Sequence, residues 1–357
     1  MFISQTRNRD HKEPLDMPSS QKNRPTSRRR FLTNTSAAIS ATSLLQGSDW
    51  CRIYATEPTL PSTAETLAGE LHASLTADQR KQVCFPWNYQ HPKYGLLRTR
   101  VANNWQASKP EIASDFFTST QQGMIRKIFE GIISPKWQPQ FDKQLEDDCG
   151  GFGYSQSVAL IGEPGSGNFQ FLLSGRHMTL RCDGDSADHV AFGGPIFYGH
   201  DTGNFHEEPT HPGNVFWPQA VAANKVYALL DRHQQEASTV SRSPKESAIQ
   251  FHGKAERPGL SVADLSEEQK EELGNVLKLL LEPFRPSDQA EIDRCLASQG
   301  GIDTCRLVYY KDKDLGNDGV WDNWRLEGPA FVWHFRGAPH VHVWVNIADS
   351  PQVPTNA

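Results

Sequence analysis

The C-terminal stretch FVWHFRGAPHVHVWVN, residues 331–346, constrains the fold more than any other part of the sequence. Two runs of branched and aromatic residues flank a short turn that contains Gly and Pro, and this arrangement predicts a β-hairpin. Two earlier runs, YSQSVALIG and GNFQFLLSGRHMTLRC, flank the turn sequence EPGSG and predict a second hairpin. The chain must therefore build an antiparallel sheet.

Three helices are predicted by one repeated pattern, a hydroxyl residue followed three positions later by Gln. In this capping box the two side chains satisfy backbone N–H groups at the helix start. The pairs are Thr76 with Gln79, Ser119 with Gln122, and Ser266 with Gln269. A fourth helix is predicted over Gln219–Gln235, because Pro218 stands at its start.

The order of these elements predicts the fold class. Strands and helices come in blocks and do not alternate strictly, which is typical of an α+β fold. We expect an antiparallel sheet made of two hairpin blocks and packed with several helices, in a single large domain or two closely packed halves over residues 56–350. The polar stretch 236–262 predicts a mobile surface insertion.

The N-terminal region has the features of an export signal. Residues 27–32 read SRRRFL and precede a mildly apolar run of small and hydroxyl residues that ends near Gly47. This run is too short and too polar for a membrane span, which needs about 20 strongly apolar residues. The Ser-Arg-Arg-x-Phe-Leu order resembles a twin-arginine signal. We expect residues 1–55 to direct the protein through the twin-arginine export machinery to a periplasmic or extracellular location, without a stable membrane span. A solvated basic tail is the alternative, but it leaves the apolar run unexplained.

The charge of the chain argues against nucleic acid as a partner. The formal net charge is −6, and residues 1–30 carry eight Lys or Arg against three Asp or Glu, so the remainder is near −11. A strongly acidic protein repels phosphate backbones.

His340 and His342 are candidate metal ligands on the last predicted strand. Residues two apart on a strand share a face, with Cα atoms about 7 Å apart, so the two imidazoles can converge on one ion. Ordinary hydrogen-bonded histidines are the alternative. A four-residue turn over Arg336–Pro339 would pair His334 with Val341 and place His334 on the opposite face. Only a loop of odd length or a bulge would bring His334 to the same side. We therefore leave it out of the ligand set.

A second group of candidate ligands lies in the sequence FYGHDTGNFHEEPTHPGNVFW. This segment is rich in Gly and Pro, and loops carry function more often than their share of the chain. Its histidines and acidic residues are His200, Asp201, His206, Glu207, Glu208 and His211. No spacing here matches a known metal motif, so a structured surface loop is the alternative.

Two other kinds of chemistry have little support in the sequence. The acidic stretch KDKDLGNDG lacks the Gly at the sixth position and the closing Glu of a calcium loop. No nucleophile elbow of the Gly-x-Ser-x-Gly type is present. No catalytic residue is predicted.

Several segments together resemble a bacterial family known as domain of unknown function 3500. They are Phe85-Pro86-Trp87, Ser119–Gln122, Gly175–Met178, Pro195–Gly199, and Gly328-Pro329 followed by His340-Val341-His342. The resemblance implies no activity, but it pairs His177 with His340 and His342. In two places the chain departs from the family: Arg176 stands where a histidine is usual, and Asn346-Ile347 where an Arg-Asp pair is usual.

These observations predict an exported metalloprotein, either a redox or a hydrolytic enzyme acting on an unidentified small-molecule or polymer ligand. His177, His340 and His342 would hold a copper, zinc or iron ion with one open position. His206 and Glu207 are further candidate ligands, and Glu208 is an alternative carboxylate.

The alternative function is a non-catalytic cell-envelope binding protein. Its groove would be lined by aromatic side chains and would hold a carbohydrate or a peptide. The candidate residues are Trp87, Trp105, Trp217, Trp333 and Trp344. Tryptophans also fill protein cores, and a purely structural role needs neither a metal nor a groove.

Overall fold

The computed structural model describes residues 63–184, 186–187, 189–201, 215–253, 255–312, 314 and 320–353. The predicted export signal in residues 1–55 lies outside this part of the chain, so the twin-arginine assignment stays a prediction. His206, Glu207, Glu208 and His211 also lie outside the described residues.

Eight α-helices occur within the described ranges. They are α1 (Thr63–Ser74), α2 (Ala77–Val83), α3 (Ser119–Ile132), α4 (Gln138–Cys149), α5 (Trp217–Leu229), α6 (Arg232–Ser238), α7 (Glu267–Leu281) and α8 (Pro286–Ser298). Two of the three predicted capping boxes start α2 and α7 as expected, at Thr76 and Ser266.

The third capping box is shifted by one residue. The sequence TSTQQ offers two overlapping hydroxyl–Gln pairs, and α3 uses Thr118 with Gln121. The choice has a tertiary cause, because the buried Gln121 side chain also donates a hydrogen bond to Gln79 Oε1 at 3.1 Å. The predicted fourth helix is also different: it is split into α5 and α6, because Asp231 caps a new helix start with Gln234.

Thirteen β-strands occur in the same ranges. They are β1 (Cys84–Phe85), β2 (Gln90–His91), β3 (Gly95–Leu96), β4 (Gln156–Glu163), β5 (Asn168–Gly175), β6 (Met178–Cys182), β7 (Ile196–His200), β8 (Thr239–Val240), β9 (Leu260–Ser261), β10 (Arg306–Tyr310), β11 (Asn323–Gly328), β12 (Phe331–Arg336) and β13 (Val341–Ile347). Both predicted hairpins form, as β4–β5 and β12–β13.

The expectation of two separate hairpin blocks is wrong, because the strands form one large sheet. Its order is β1-β4-β5-β6-β7-β13-β12-β11-β10-β8, with β9 paired to β10, while β2 and β3 form a separate pair. Strand β7 joins the two blocks because it pairs with β6 on one side and β13 on the other. The sheet is mixed, since β1–β4 and β8–β10 are parallel.

The two faces of the sheet are covered differently. On β4, Val158 and Leu160 face the large helical core, whereas Ala159 and Ile161 face the opposite side. That opposite face is covered by the segment around Trp105 and, further along the sheet, by residues 246–251.

The segment 236–262 was predicted to be a mobile surface insertion. The middle of this segment packs against the sheet. Ile249 is fully buried, and its carbonyl oxygen accepts a hydrogen bond from Asn346 Nδ2 at 2.8 Å. The same segment brings Glu246 to His342.

The register of β12 and β13 differs from the expected one. His334 pairs with Trp344 and Arg336 pairs with His342, so five residues separate the last pair. This odd spacing places His334 on the same sheet face as His342, contrary to expectation. His334 is nevertheless displaced from His342, because it pairs with Trp344, two residues beyond His342 on β13. Its Nδ1 accepts a hydrogen bond from Arg325 Nε at 3.3 Å.

Among the described helices, none is both long enough and apolar enough to cross a membrane.

Candidate metal centre

Three imidazoles from distant parts of the sequence converge near the ends of strands in the middle of the sheet. His342 lies on β13, His340 directly precedes this strand, and His177 lies in the turn between β5 and β6. The Nε2 atoms of His340 and His342 are 2.9 Å apart, and those of His342 and His177 are 3.2 Å apart. One nitrogen from each ring lies within 4.8 Å of the others.

The backbone around these rings is specialised. His177 has a φ of 52°, a left-handed conformation that is uncommon for residues other than Gly, and its N–H donates to Asn103 O at 2.7 Å. Gly199 faces His342 across the β7–β13 pair. A side chain at Gly199 would approach both the Val341 carbonyl oxygen and the His342 ring, so only Gly permits this strand contact.

A carboxylate lies behind each of the three rings. Glu246 Oε2 is 2.8 Å from His342 Nδ1, Asp148 Oδ2 is 3.0 Å from His177 Nδ1, and Asp201 Oδ2 is 3.8 Å from His340 Nδ1. Only the first of these contacts has hydrogen-bond geometry, since the Nδ1 atom of His177 makes no well-aligned hydrogen bond. The His342–Glu246 pair matches metal-binding histidines, which usually donate their second ring N–H to a carboxylate.

The electrostatic environment keeps two of the imidazoles neutral. Burial, together with the charge of Arg336, lowers the pKa of His340 to about 4. Burial lowers the pKa of His342 to about 3, although the hydrogen bond with Glu246 opposes this shift. Burial acts to raise the pKa of Glu246, but the hydrogen bond from His342 and the charge of Arg336 outweigh it and lower the pKa to about 2. At neutral pH the carboxylate is charged and both rings carry a lone pair.

Two arginines balance part of the negative charge around the rings. Arg176 Nη2 lies 3.1 Å from Asp201 Oδ2, and Arg336 Nη1 lies 3.5 Å from Glu246 Oε1. Three carboxylates and two guanidinium groups therefore surround the three rings. The remaining negative charge favours a cation between the rings.

The nitrogen separations suit direct coordination. Two ligands at 2.0–2.1 Å from one ion stand about 3 Å apart at a right angle and about 3.4 Å apart at the tetrahedral angle. The two measured Nε2 separations, 2.9 and 3.2 Å, are close to this range. His177 and His342 are buried, whereas the His340 side chain is 23% exposed. Solvent therefore reaches the centre on the side of His340.

Other sequence candidates lie outside this centre or outside the described residues. Asp147 Oδ2 lies 2.8 Å from His200 Nε2. His200 is not part of the group formed by the three rings. Asp148 and Glu246 were missed by sequence reasoning. Asp148 lies in the last turn of α4 and Glu246 in a polar segment, so neither has a spacing that relates it to a histidine.

The five tryptophans do not form a common row. Trp105, Trp217, Trp333 and Trp344 are buried, with at most 6% of their surface exposed. Trp87 is half-buried and lies under the guanidinium of Arg98. Four of the five therefore serve the cores on the two faces of the sheet.

The family comparison agrees with the motifs in the sequence. The profile of the family described as "Protein of unknown function (DUF3500)" matches residues 61–338 of the 357. This range includes His177 and ends two residues before His340. No curated protein and no solved structure matches the chain. On the strength of the family profile, the chain belongs to the DUF3500 family.

Proposed function

We propose that this protein is a metalloprotein whose ion is held by His177, His340 and His342. One observation carries the proposal: three imidazole nitrogens face one another while a carboxylate lies behind each ring. If the Nδ1 atoms carry the protons, three Nε2 lone pairs point at one another inside the protein. A shared proton satisfies one pair only, whereas a metal cation satisfies all three.

The ligand set narrows the choice of metal. Within the part of the chain that the structure describes, all three ligand atoms are imidazole nitrogens, and no thiolate or carboxylate joins them. Such a set suits zinc or copper, whereas non-haem iron(II) centres commonly use two histidines and one carboxylate. We therefore place zinc and copper ahead of iron.

Because the His340 side chain is partly exposed, solvent would reach a fourth coordination position of a bound ion. A zinc ion with three histidines and an open position lowers the pKa of a bound water, and a copper ion supports electron transfer. The protein supplies the buried, carboxylate-backed rings in either case. We propose an enzyme of hydrolytic or redox type, exported through the signal predicted in residues 1–55.

The test is metal content. The protein is incubated separately with zinc and copper, desalted, and measured by mass spectrometry for ions per chain. We expect about one ion per chain in the unmodified protein and at least a tenfold lower ion content in His342→Ala, which lacks one of the three ligands. His233→Ala, an exposed position on α6, is the matched control and should retain the ion. Circular dichroism shows whether each variant is folded. Less than about 0.1 ion per chain in the unmodified protein, or equal binding by folded His342→Ala, would contradict the proposal.

A further inference from the structure

A second candidate site lies on the same sheet face as the metal centre. A cavity of about 850 Å³ is formed by the end of α2, the segment that contains β1 to β3, and residues 104–109. This volume is in the range of small-ligand sites. Most of its aromatic lining belongs to the small core around Trp105, which covers the face opposite the helices.

Aromatic rings line this cavity in an unbroken series. Phe85 contacts Tyr89 at a ring-centroid distance of 5.0 Å, Tyr89 contacts His91 at 6.2 Å, and His91 stacks on Tyr94 at 4.4 Å. Tyr94 then meets Trp105 edge to face at 5.5 Å. The first four rings are half-buried, so part of each ring remains available to a ligand.

The lining is held rigidly to the sheet beneath it. Trp105 Nε1 donates to Thr179 Oγ1 at 2.8 Å, and the backbone N–H of Ala107 donates to Ser174 Oγ at 2.8 Å. Ser108 Oγ donates to the carbonyl oxygen of Val158, also at 2.8 Å. A site fixed in this way loses little conformational freedom when a ligand binds.

The polar groups of the lining include amides and cations. Gln82, Asn104 and Gln106 are exposed at the cavity and offer both donors and acceptors. Lys81 and Lys109 are the lysines of the lining, and no acidic residue is among the described residues that form it. Lys81 Nζ forms an ion pair with Asp78 Oδ1 at 2.9 Å.

Further positive charge surrounds the central ring of the series. Lys93 Nζ lies 5.2 Å and the Arg100 guanidinium carbon 5.1 Å from the Tyr94 ring centroid. In a chain with a net charge of −6, this concentration of cations is a local exception. A cavity of this kind attracts a negatively charged ligand.

We infer that this cavity binds an acidic oligosaccharide of two or three sugar rings that carries uronate groups. The aromatic faces would pack against the C–H faces of the sugars, the amides would hydrogen-bond to the hydroxyls, and the lysines would pair with the carboxylates. The inference does not depend on the metal centre, although one edge of the cavity adjoins it. Asn104 forms a backbone bridge with Arg176, the residue before His177.

The test compares an acidic and a neutral ligand of equal length by isothermal titration calorimetry. The full chain is titrated with tri-galacturonate and with neutral galactotriose at low salt, before and after treatment with a chelator. We expect the acidic trisaccharide to bind at least tenfold more tightly, and chelation to leave its binding unchanged. Equal binding of the neutral trisaccharide, or no heat at millimolar ligand, would overturn the inference.

Variants separate the contributions of charge and of the rings. Lys109→Gln should weaken binding of the acidic trisaccharide about fivefold and reduce the preference for it, because one charge pair is lost. Tyr89→Ala should weaken both ligands about tenfold, with folding checked by circular dichroism. Lys136→Gln, an exposed lysine away from the cavity, is the matched control. Unchanged binding in both cavity variants, or equally tight binding of a tri-glutamate peptide, would rule out this assignment.

Discussion

At the scale of single residues, the groups that face the Nδ1 atoms of the imidazoles determine the chemistry of the candidate metal centre. Glu246 is ionised and lies 2.8 Å from His342 Nδ1, so it fixes the proton on that nitrogen. The Nε2 lone pair is then directed at the neighbouring rings. In the proposed metal site Glu246 is a positioning residue, because it would act on a bound ion through His342.

Replacing Glu246 with Gln tests this role. The variant keeps the shape of the side chain but removes its charge, so the tautomer of His342 is no longer fixed. We expect zinc affinity to fall about 10- to 100-fold, measured by competition with a chromophoric chelator. Glu236→Gln, on the exposed surface of α6, should leave the affinity unchanged. An unaltered affinity in Glu246→Gln would show that the carboxylate does not orient the ring.

Only part of this centre could be predicted from residues alone. His340 and His342 are two residues apart on a strand, and that spacing is sufficient to pair them. His177 was connected to them by resemblance to a family. Glu246 and Asp148 could not be predicted, because their approach depends on how a loop and a helix end pack on the sheet.

At the level of elements, the contact between β7 and β13 places His342. A Cβ atom built on Gly199 would lie 2.4 Å from the Val341 carbonyl oxygen and 3.4 Å from His342 Cδ2. The two strands would have to separate to admit a methyl group.

We therefore expect Gly199→Ala to cost about 1–3 kcal/mol of unfolding free energy in urea. It should also weaken zinc binding, because His342 would move. Gly123→Ala is the control, since a Cβ at this helical position has nothing within 4 Å; it should be neutral or slightly stabilising. Normal stability and zinc affinity in Gly199→Ala would mean that the close strand contact is not required.

Helix α8 contains a group that should make stability depend on pH. Burial raises the pKa of Asp293 from 3.8 to about 6, and the charge of Arg294 offsets this only in part. Between these values the folded protein holds a proton that the unfolded chain has lost. Stability therefore falls as the pH rises through this window, and the full cost is present above about pH 6.

Asp293→Asn should remove this cost. We expect the variant to be more stable than the unmodified protein at pH 7, by about 1 kcal/mol after allowance for solvent screening. The difference should vanish below about pH 3, where the carboxyl is protonated in both states. Urea unfolding at both pH values provides the measurement. A variant that is less stable at pH 7, or a difference that persists in acid, would contradict this reading.

Elements were predicted well where local signals act alone and poorly where packing decides. The capping boxes at Thr76 and Ser266 were correct because a cap is satisfied within one turn. The box of α3 was misplaced because Gln121 also bonds to Gln79 in another helix. The predicted sheet face of His334 was wrong, because it depends on whether the number of loop residues is odd or even. One residue more or fewer in the loop moves the side chain to the other face.

For the whole molecule, the sequence predicted the α+β class but not the single sheet. Strand β7 is only five residues long and was not predicted as part of either hairpin, yet it joins the two hairpin blocks. That junction brings the β5–β6 turn beside the start of β13. The three imidazoles therefore come together only in the complete fold, because His177 is separated from His340 and His342 by 163 and 165 residues along the chain.

The position of a bound ion is the most direct test of the central claim. Crystals of the zinc-loaded protein are measured at the zinc absorption edge, and the anomalous peak is compared with the histidine rings. We predict one peak about 2.0–2.2 Å from the Nε2 atoms of His177, His340 and His342. A peak at His200 and Asp147, or a peak that lacks any of these three Nε2 ligands, would contradict it.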